Sequence, residues 1–180
     1  DVGVWPGSFD LQSHDGAQSR VAHVIVRATT FYTTELYWVD DGKVHKLALP
    51  DTVEAKNMYR GRLLVSLRKP WTVGKDTFPS GALVSVPFGD LTQGKFDKVS
   101  LFWAPNERSS LEQVAVTKSA IYLSVLEDVN TKIYKWALED SCDGQDGWSS
   151  GVLPLPGTGT ARIVSAYPSE DVAFINFESF

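Results

Sequence analysis

The sequence has almost no cysteine, no long apolar run and no stretch of sustained helical periodicity. Its single cysteine, Cys142, can form no internal disulfide, which excludes a small secreted disulfide scaffold. One cysteine suits a reducing compartment, and the cytoplasm is the favoured location, although the compartment stays open. No apolar run nears the roughly 18 residues that cross a bilayer. The opening D-V-G-V-W-P-G-S-F-D also lacks the charged-then-apolar order of a secretion signal, so no membrane association is expected. Lysines and arginines are scattered and the net charge is -5, a balance that argues against nucleic acid as a partner. Metal-ligand spacing is missing too. His14, beside Asp15, shares no such spacing with His23 or His45. Asp140, Asp143 and Asp146, with Gly144 among them, recur at every third residue and miss the first, third and fifth ligand positions of a calcium loop. The sequence therefore carries no expectation of a metal or cofactor.

What is present is enough apolar material for a core: 43% hydrophobic against 22% charged residues describes an ordered globular chain. Its pattern is that of strands. In Ser110 to Trp136, Gln113 to Thr117 alternates, Ile121 to Leu126 is nearly continuous apolar, and Lys132 to Trp136 alternates again. Turn chemistry separates the three runs, as expected of antiparallel strands with the most buried one in the middle.

Along the chain, Asp1 to Ala17 reads as loop. Val21 to Ala28 and Phe31 to Val39 read as strands, and Asp40-Asp41-Gly42 is a tight hairpin signal between Leu36–Val39 and Val44–Leu47. Arg62 to Leu67 is a buried-type strand, Leu83 to Phe88 an outer one and Lys98 to Trp103 a third. The Pro- and Gly-punctuated excursion Arg68 to Gly81 separates the first two. Leu91 to Gly94 allows a single helical turn. Gly151 to Pro156 reads as an edge strand, because proline cannot donate to a central ladder. Ala161 to Ala166 and Asp171 to Phe177 begin a further unit around the turn Tyr167 to Glu170. Val114–Val116 set against Val164–Ala166 gives a spacing of about 50, and four-stranded repeats of that size point to a β-propeller. The expected architecture is thus all-β: residues 1–180 as an incomplete propeller of about four blades, each a four-stranded antiparallel sheet.

Three strings sharpen this. L-L-V-S-L-R-K-P-W-T-V-G-K-D-T-F-P-S-G-A-L (Leu63 to Leu83), F-W-A-P-N-E-R-S-S-L-E (Phe102 to Glu112) and F-I-N-F-E-S-F (Phe174 to Phe180) resemble the propeller portion of the prolyl oligopeptidase family. The first two are similar to a bacterial-type branch with L-R-x-x-W-T, then G-x-x-x-x-P-x-G, then P-x-E-R-x-S-L. The third resembles the last blade before such a chain returns to its hydrolase domain. This resemblance implies a serine peptidase in which a seven-bladed propeller covers an α/β-hydrolase domain and restricts access to peptides. The catalytic serine, aspartate and histidine would lie after Phe180, so no catalytic residue is expected in these 180. The implied partners are that hydrolase domain of the same parent chain and, in the parent enzyme, peptide substrates. Exposed blade edges would favour self-association of the fragment.

Other constellations are weaker. Gly147-Trp148-Ser149-Ser150-Gly151 matches the G-x-S-x-G nucleophile pattern but has polar loop before it and Val152-Leu153-Pro154 after it, where an elbow needs strand then helix. Gly157-Thr158-Gly159 and Gly74-Lys75 are incomplete phosphate-loop matches. Cys142 has no neighbouring base and reads as an unreactive loop thiol. Trp38, Trp103 and Trp136 sit at strand positions that favour packing. Trp71 and Trp148 read as loop residues and are the candidates for an interaction surface. Arg108 is a structural anchor expected to pair with Glu107 or strand-end backbone, and Glu112 and Glu127 are blade-edge residues rather than a catalytic pair. An alternative to the peptidase segment is a free-standing propeller-like module that binds a protein or peptide.

Overall fold

The computed structural model describes residues 4–11, 20–139 and 147–180. They fall into two compact units, Asp1–Ala104 and Pro105–Phe180. Among the described residues no helix is long and apolar enough to cross a membrane.

In the first unit, β1 (Val4–Leu11), β2 (Arg20–Ala28), β3 (Thr34–Asp40) and β4 (Lys43–Lys46) form an antiparallel meander in chain order. The expected hairpin is present: Asp40 pairs with Lys43 across Asp41 and Gly42, at φ 46° and 73°. Two successive left-handed residues match the twist of the flanking strands, which is why Asp-Gly is selected there. β1 corrects the expectation of a loop over Asp1 to Ala17. It pairs with β2 from Val4↔Arg27 to Leu11↔Arg20. A strand this rich in Gly, Pro and Ser has little propensity of its own and depends on the neighbouring ladder. Its outer place in the sheet tolerates Pro6.

The second sheet takes β5 (Val53–Tyr59), β6 (Arg62–Leu67), β9 (Leu83–Pro87) and β10 (Ser100–Trp103) in the order β10-β9-β6-β5. The excursion between β6 and β9 carries its own hairpin, β7 (Trp71–Val73) and β8 (Asp76–Phe78), and a single turn of helix, α1 (Phe88–Thr92), follows β9. The expectation that Leu83 to Phe88 is an outer strand is corrected: β9 lies between β6 and β10, and Leu83, Val84, Ser85 and Val86 are all buried. Pro87 stands at the last pair, leaving the four preceding residues able to bond on both sides. Leu63, Val65 and Leu67 alternate along β6 into one cluster with Val84, Val86, Val24, Leu36 and Phe88. Leu64, on the opposite face, is buried as well. Arg62 ties in the short β10: its Nε donates to Ser85 Oγ at 2.5 Å, and its Nη2 donates to Lys98 O at 3.0 Å and Ser100 Oγ at 3.1 Å.

In the second unit, β11 (Ser109–Val116), β12 (Ala120–Glu127), β13 (Asn130–Glu139) and β14 (Gly147–Val152) form another four-stranded meander. The three runs read in Ser110 to Trp136 are its first three strands, and β12 is the most buried, as its apolar run requires. The edge strand expected over Gly151 to Pro156 lies earlier, at Gly147–Val152. Leu153 N still donates to Ile133 O at 2.8 Å, but Pro154 has no N–H with which to extend the ladder. β15 (Gly159–Ala166) and β16 (Ala173–Ser179) make a two-stranded sheet, so among the described residues three sheets have four strands and two, β7–β8 and β15–β16, have two.

β15 lies against the β11–β14 sheet through Ala161 and Ile163, which pack with Ala120, Tyr122 and Ile133. Polar ties fix its register. The Gln113 side chain acts as a surrogate strand residue: Ile163 N donates to Gln113 Oε1 at 2.9 Å, and Gln113 Nε2 donates to Ile163 O at 3.2 Å. Bulges at Leu111/Gln113 and at Ile163/Ser165 put both groups where they can meet. Replacing Gln113 by leucine is expected to lower stability by about 1–3 kcal/mol, because both Ile163 groups lose their partner while still desolvated. A urea unfolding curve superimposable on that of the parent sequence would contradict this.

A second tie is ionisable. Asp171 Oδ1 accepts from Ser119 N at 2.8 Å and from Ser119 Oγ at 2.7 Å. These bonds favour the charged form and hold the Asp171 carboxyl below its ordinary value. A carboxylate with a depressed folded pKa contributes its full stabilisation above the unfolded pKa and loses it as pH falls through the folded value. The Ser119 amide resonance is therefore expected to titrate with a midpoint below that of an ordinary aspartate. A midpoint at or above the ordinary value would remove the tie.

Candidate functional site

Ser149, the centre of the G-x-S-x-G match, lies within edge strand β14 opposite Ala137, and its Oγ donates to Ala137 O at 3.5 Å. An extended residue in a ladder is not a nucleophile elbow, and no helix follows it. His23 and His45 are exposed on β2 and β4, with the His45 ring 5.5 Å from that of Trp38. His14, Asp15, Asp140, Cys142, Asp143, Gly144 and Asp146 lie outside the described residues. Among the described residues no group of three or more His, Cys, Asp or Glu could hold a metal ion. Gly157-Thr158-Gly159 enters strand β15 rather than a helix, and Gly74-Lys75 is the tip of the β7–β8 hairpin.

Glu112, on edge strand β11, accepts from Ser124 Oγ at 3.4 Å. Glu127, at the end of β12, accepts from Lys132 Nζ and Tyr134 OH. The Lys132 bond, then the Tyr134 bond, holds the Glu127 carboxyl below its usual range. Burial first, and Glu127 second, push the Tyr134 phenol up to about 12. This is a saturated structural cluster, since the carboxylate has both its donors in place and no poised proton to give. Arg108 pairs with Asp128 at 3.6 Å rather than with Glu107. Its main-chain carbonyl also accepts from Asp128 N at 2.9 Å.

Both candidate surface tryptophans stand in strands rather than loops. Trp148 is half-buried on β14, opposite Leu138. Trp71 is half-buried on β7, edge-on to Phe96 with centroids 5.5 Å apart, and it packs against the core of the first unit. Trp71 forms part of the floor of a cleft of about 700 Å³ between the β7–β8 hairpin and residues 94–99. The geometry follows from the hairpin's period of two. Trp71 and Val73 share one face with Asp76 and Phe78, their cross-strand partners. Thr72 and Thr77 share the other, with hydroxyls 3.0 Å apart. The glycine at φ 59° opens the two-residue turn whose second residue is Lys75. An apolar floor (Trp71, Val73, Phe96, Val99) therefore meets a rim of Lys75, Asp76, Lys95 and Asp97. Such a cleft can take an amphipathic segment, but it offers no nucleophile with an adjacent base.

Sequence reasoning missed the turn between β2 and β3. Phe31 was expected to start a strand that in fact begins at Thr34, and residues 29–33 form a turn. The available signal was T-T-F-Y-T-T, because threonine hydroxyls that bond nearby backbone compete with strand pairing. Tyr32 N and Thr33 N donate to Thr30 Oγ1 at 3.2 and 3.1 Å, and Thr29 N donates to Thr33 O at 3.0 Å.

No family model matches the chain. It is similar to an uncharacterized peptidase of Sinorhizobium fredii, 29% identical over 163 residues, which are 86% of this chain and 21% of that protein. An uncharacterized peptidase of Rickettsia prowazekii is 26% identical over 156 residues, 83% of this chain and 21% of its own length. The chain thus spans about a fifth of the length of these curated relatives. The solved structure of a post-proline cleaving enzyme from Rickettsia typhi superposes with a TM-score of 0.81 at 22% identity, over 97% of this chain and 25% of that one. The fold is that of part of a β-propeller, and the resemblance to the prolyl oligopeptidase family is borne out.

Proposed function

We propose that the chain is the noncatalytic propeller segment of a prolyl-oligopeptidase-like serine peptidase, limiting the access of peptide substrates to a hydrolase domain supplied by other residues of its parent polypeptide. The observation that carries this reading is the match of nearly the whole chain to a quarter of a post-proline cleaving enzyme. Its physical basis is selection by size. Four-stranded sheets built on largely buried inner strands such as β6, β9 and β12 are stiff walls, and a narrow opening in the parent's propeller would admit an extended peptide while excluding a folded protein.

The test uses the parent polypeptide and a serine-reactive phosphonate. A single labelled serine outside residues 1–180 is expected, with a short proline-containing peptide cleaved much faster than a folded protein. Ser149→Ala should leave labelling and turnover unchanged. Labelling at Ser149, no reactive serine at all, or equal turnover of peptide and folded protein would overturn the reading, and the second result would favour a free-standing binding module. On this reading the two-stranded β15–β16 sheet is completed by strands of the parent, and the 180 residues alone associate through its edges. Light scattering across a concentration series is expected to show growing mass; a constant monomer mass would count against it.

A further inference from the structure

The β2–β3 turn holds two large aromatic side chains out in water. Phe31 is 87% exposed and Tyr32 71%, their ring centroids are 5.0 Å apart and their planes meet at 79°. Left on a loose turn, such rings would fold back onto the nearest apolar surface. This turn is braced against that. The Thr33 hydroxyl lies 2.8 Å from that of Thr29 and 2.6 Å from that of Thr30. From outside the turn, Arg68 Nη1 donates to Phe31 O at 3.4 Å while Arg68 Nη2 pairs with Glu54 at 3.6 Å. A braced turn loses its ordering entropy on folding rather than on binding, the condition under which exposed aromatics act as anchors.

We infer that this turn is a docking knob, and that its partner is an apolar pocket in the part of the parent polypeptide outside these 180 residues. The inference rests on reading the chain as one segment of a larger peptidase. The curated relatives extend far beyond the matched fifth of their length, which supplies the partner surface. Area argues against a second copy of this chain. Two aromatic side chains bury roughly 300–500 Å², well short of the roughly 800 Å² per partner of a stable complex. A tethered partner needs far less, because the linker holds it at millimolar effective concentration.

Hydroxyl-radical footprinting read by mass spectrometry tests this on the parent polypeptide and on the 180-residue chain. Oxidation of Phe31 and Tyr32 is expected to be several-fold slower in the parent, at a dilution where both are monomeric. In the parent, Phe31→Ser with Tyr32→Ser, which leaves the threonine and Arg68 bonds in place, should raise protease sensitivity between the segment and the rest several-fold. Equal oxidation in the two proteins, or unchanged protease sensitivity, overturns the knob. Protection of the short chain that grows with its concentration also overturns it, in favour of a second copy. Footprinting reads coverage and not catalysis. A parent with the protection but no phosphonate-reactive serine therefore sinks the peptidase reading and keeps the knob, while a reactive serine with equal oxidation does the reverse.

Discussion

Replacing Gly159 by alanine is expected to unfasten β15 from β16. A Cβ at this position would stand 2.1 Å from the carbonyl oxygen of Glu178, 2.9 Å from its carbonyl carbon and 3.0 Å from Phe177 Cζ. The ring can swing aside, but the two backbone atoms are held by the ladder that pairs Gly159 with Ser179 and Thr160 with Glu178. Relief therefore comes only by separating the strands at the start of the hairpin. Overpacking of a well-packed site commonly costs about 1–3 kcal/mol, and a clash with backbone belongs at the upper end, so a loss of about 3 kcal/mol is expected. The requirement is for space: the φ of Gly159 lies outside the left-handed region. Gly151→Ala is the matched control, because its new Cβ meets nothing within 4 Å and the change should stay within about 0.5 kcal/mol. Urea unfolding, with amide exchange at Thr160 and Glu178, reads both. Equal midpoints for the two variants would contradict the close approach.

The second large effect is expected at Leu63. It is fully buried on β6, in one cluster with Val65, Val84, Val86 and Phe88. Neighbours on two paired inner strands cannot move in to fill a void without breaking ladder bonds. Leu63→Ala is therefore expected to cost about 2–5 kcal/mol, transfer and cavity together. Against a typical domain stability of about 5–15 kcal/mol, this shifts the urea midpoint of the first unit strongly. Val44→Ala on β4, where the side chain is 58% exposed, should change stability by less than about 0.5 kcal/mol. Similar losses at the two positions would mean that β6 is not the centre of the core.

These sites differ in how far local sequence reveals them. Leu63 lies in R-L-L-V-S-L, an apolar run whose length and β-branching mark a buried strand by themselves, and β6 has the expected bounds Arg62–Leu67. The Asp40-Asp41-Gly42 hairpin is legible for the same reason: backbone sterics select its residues within four positions of chain. Gly159 is not legible, since the oxygen that forbids a side chain belongs to Glu178, nineteen residues later. Trp71 and Trp148 read as loop residues because short strands between prolines and glycines leave no periodic trace.

What the sequence by itself determined is the class of the molecule: alternating runs, turn signals and a few family-like strings specify antiparallel β-meanders resembling part of a peptidase propeller. Those features are local, set by residue-level sterics and a period of two. The tertiary structure alone decided that β1 is a strand, that β9 lies inside its sheet, and that Gln113 stands in for a strand at Ile163. Each of these depends on a partner distant in sequence. Strand pairing and side-chain burial are properties of two segments at once, so neither segment states them alone.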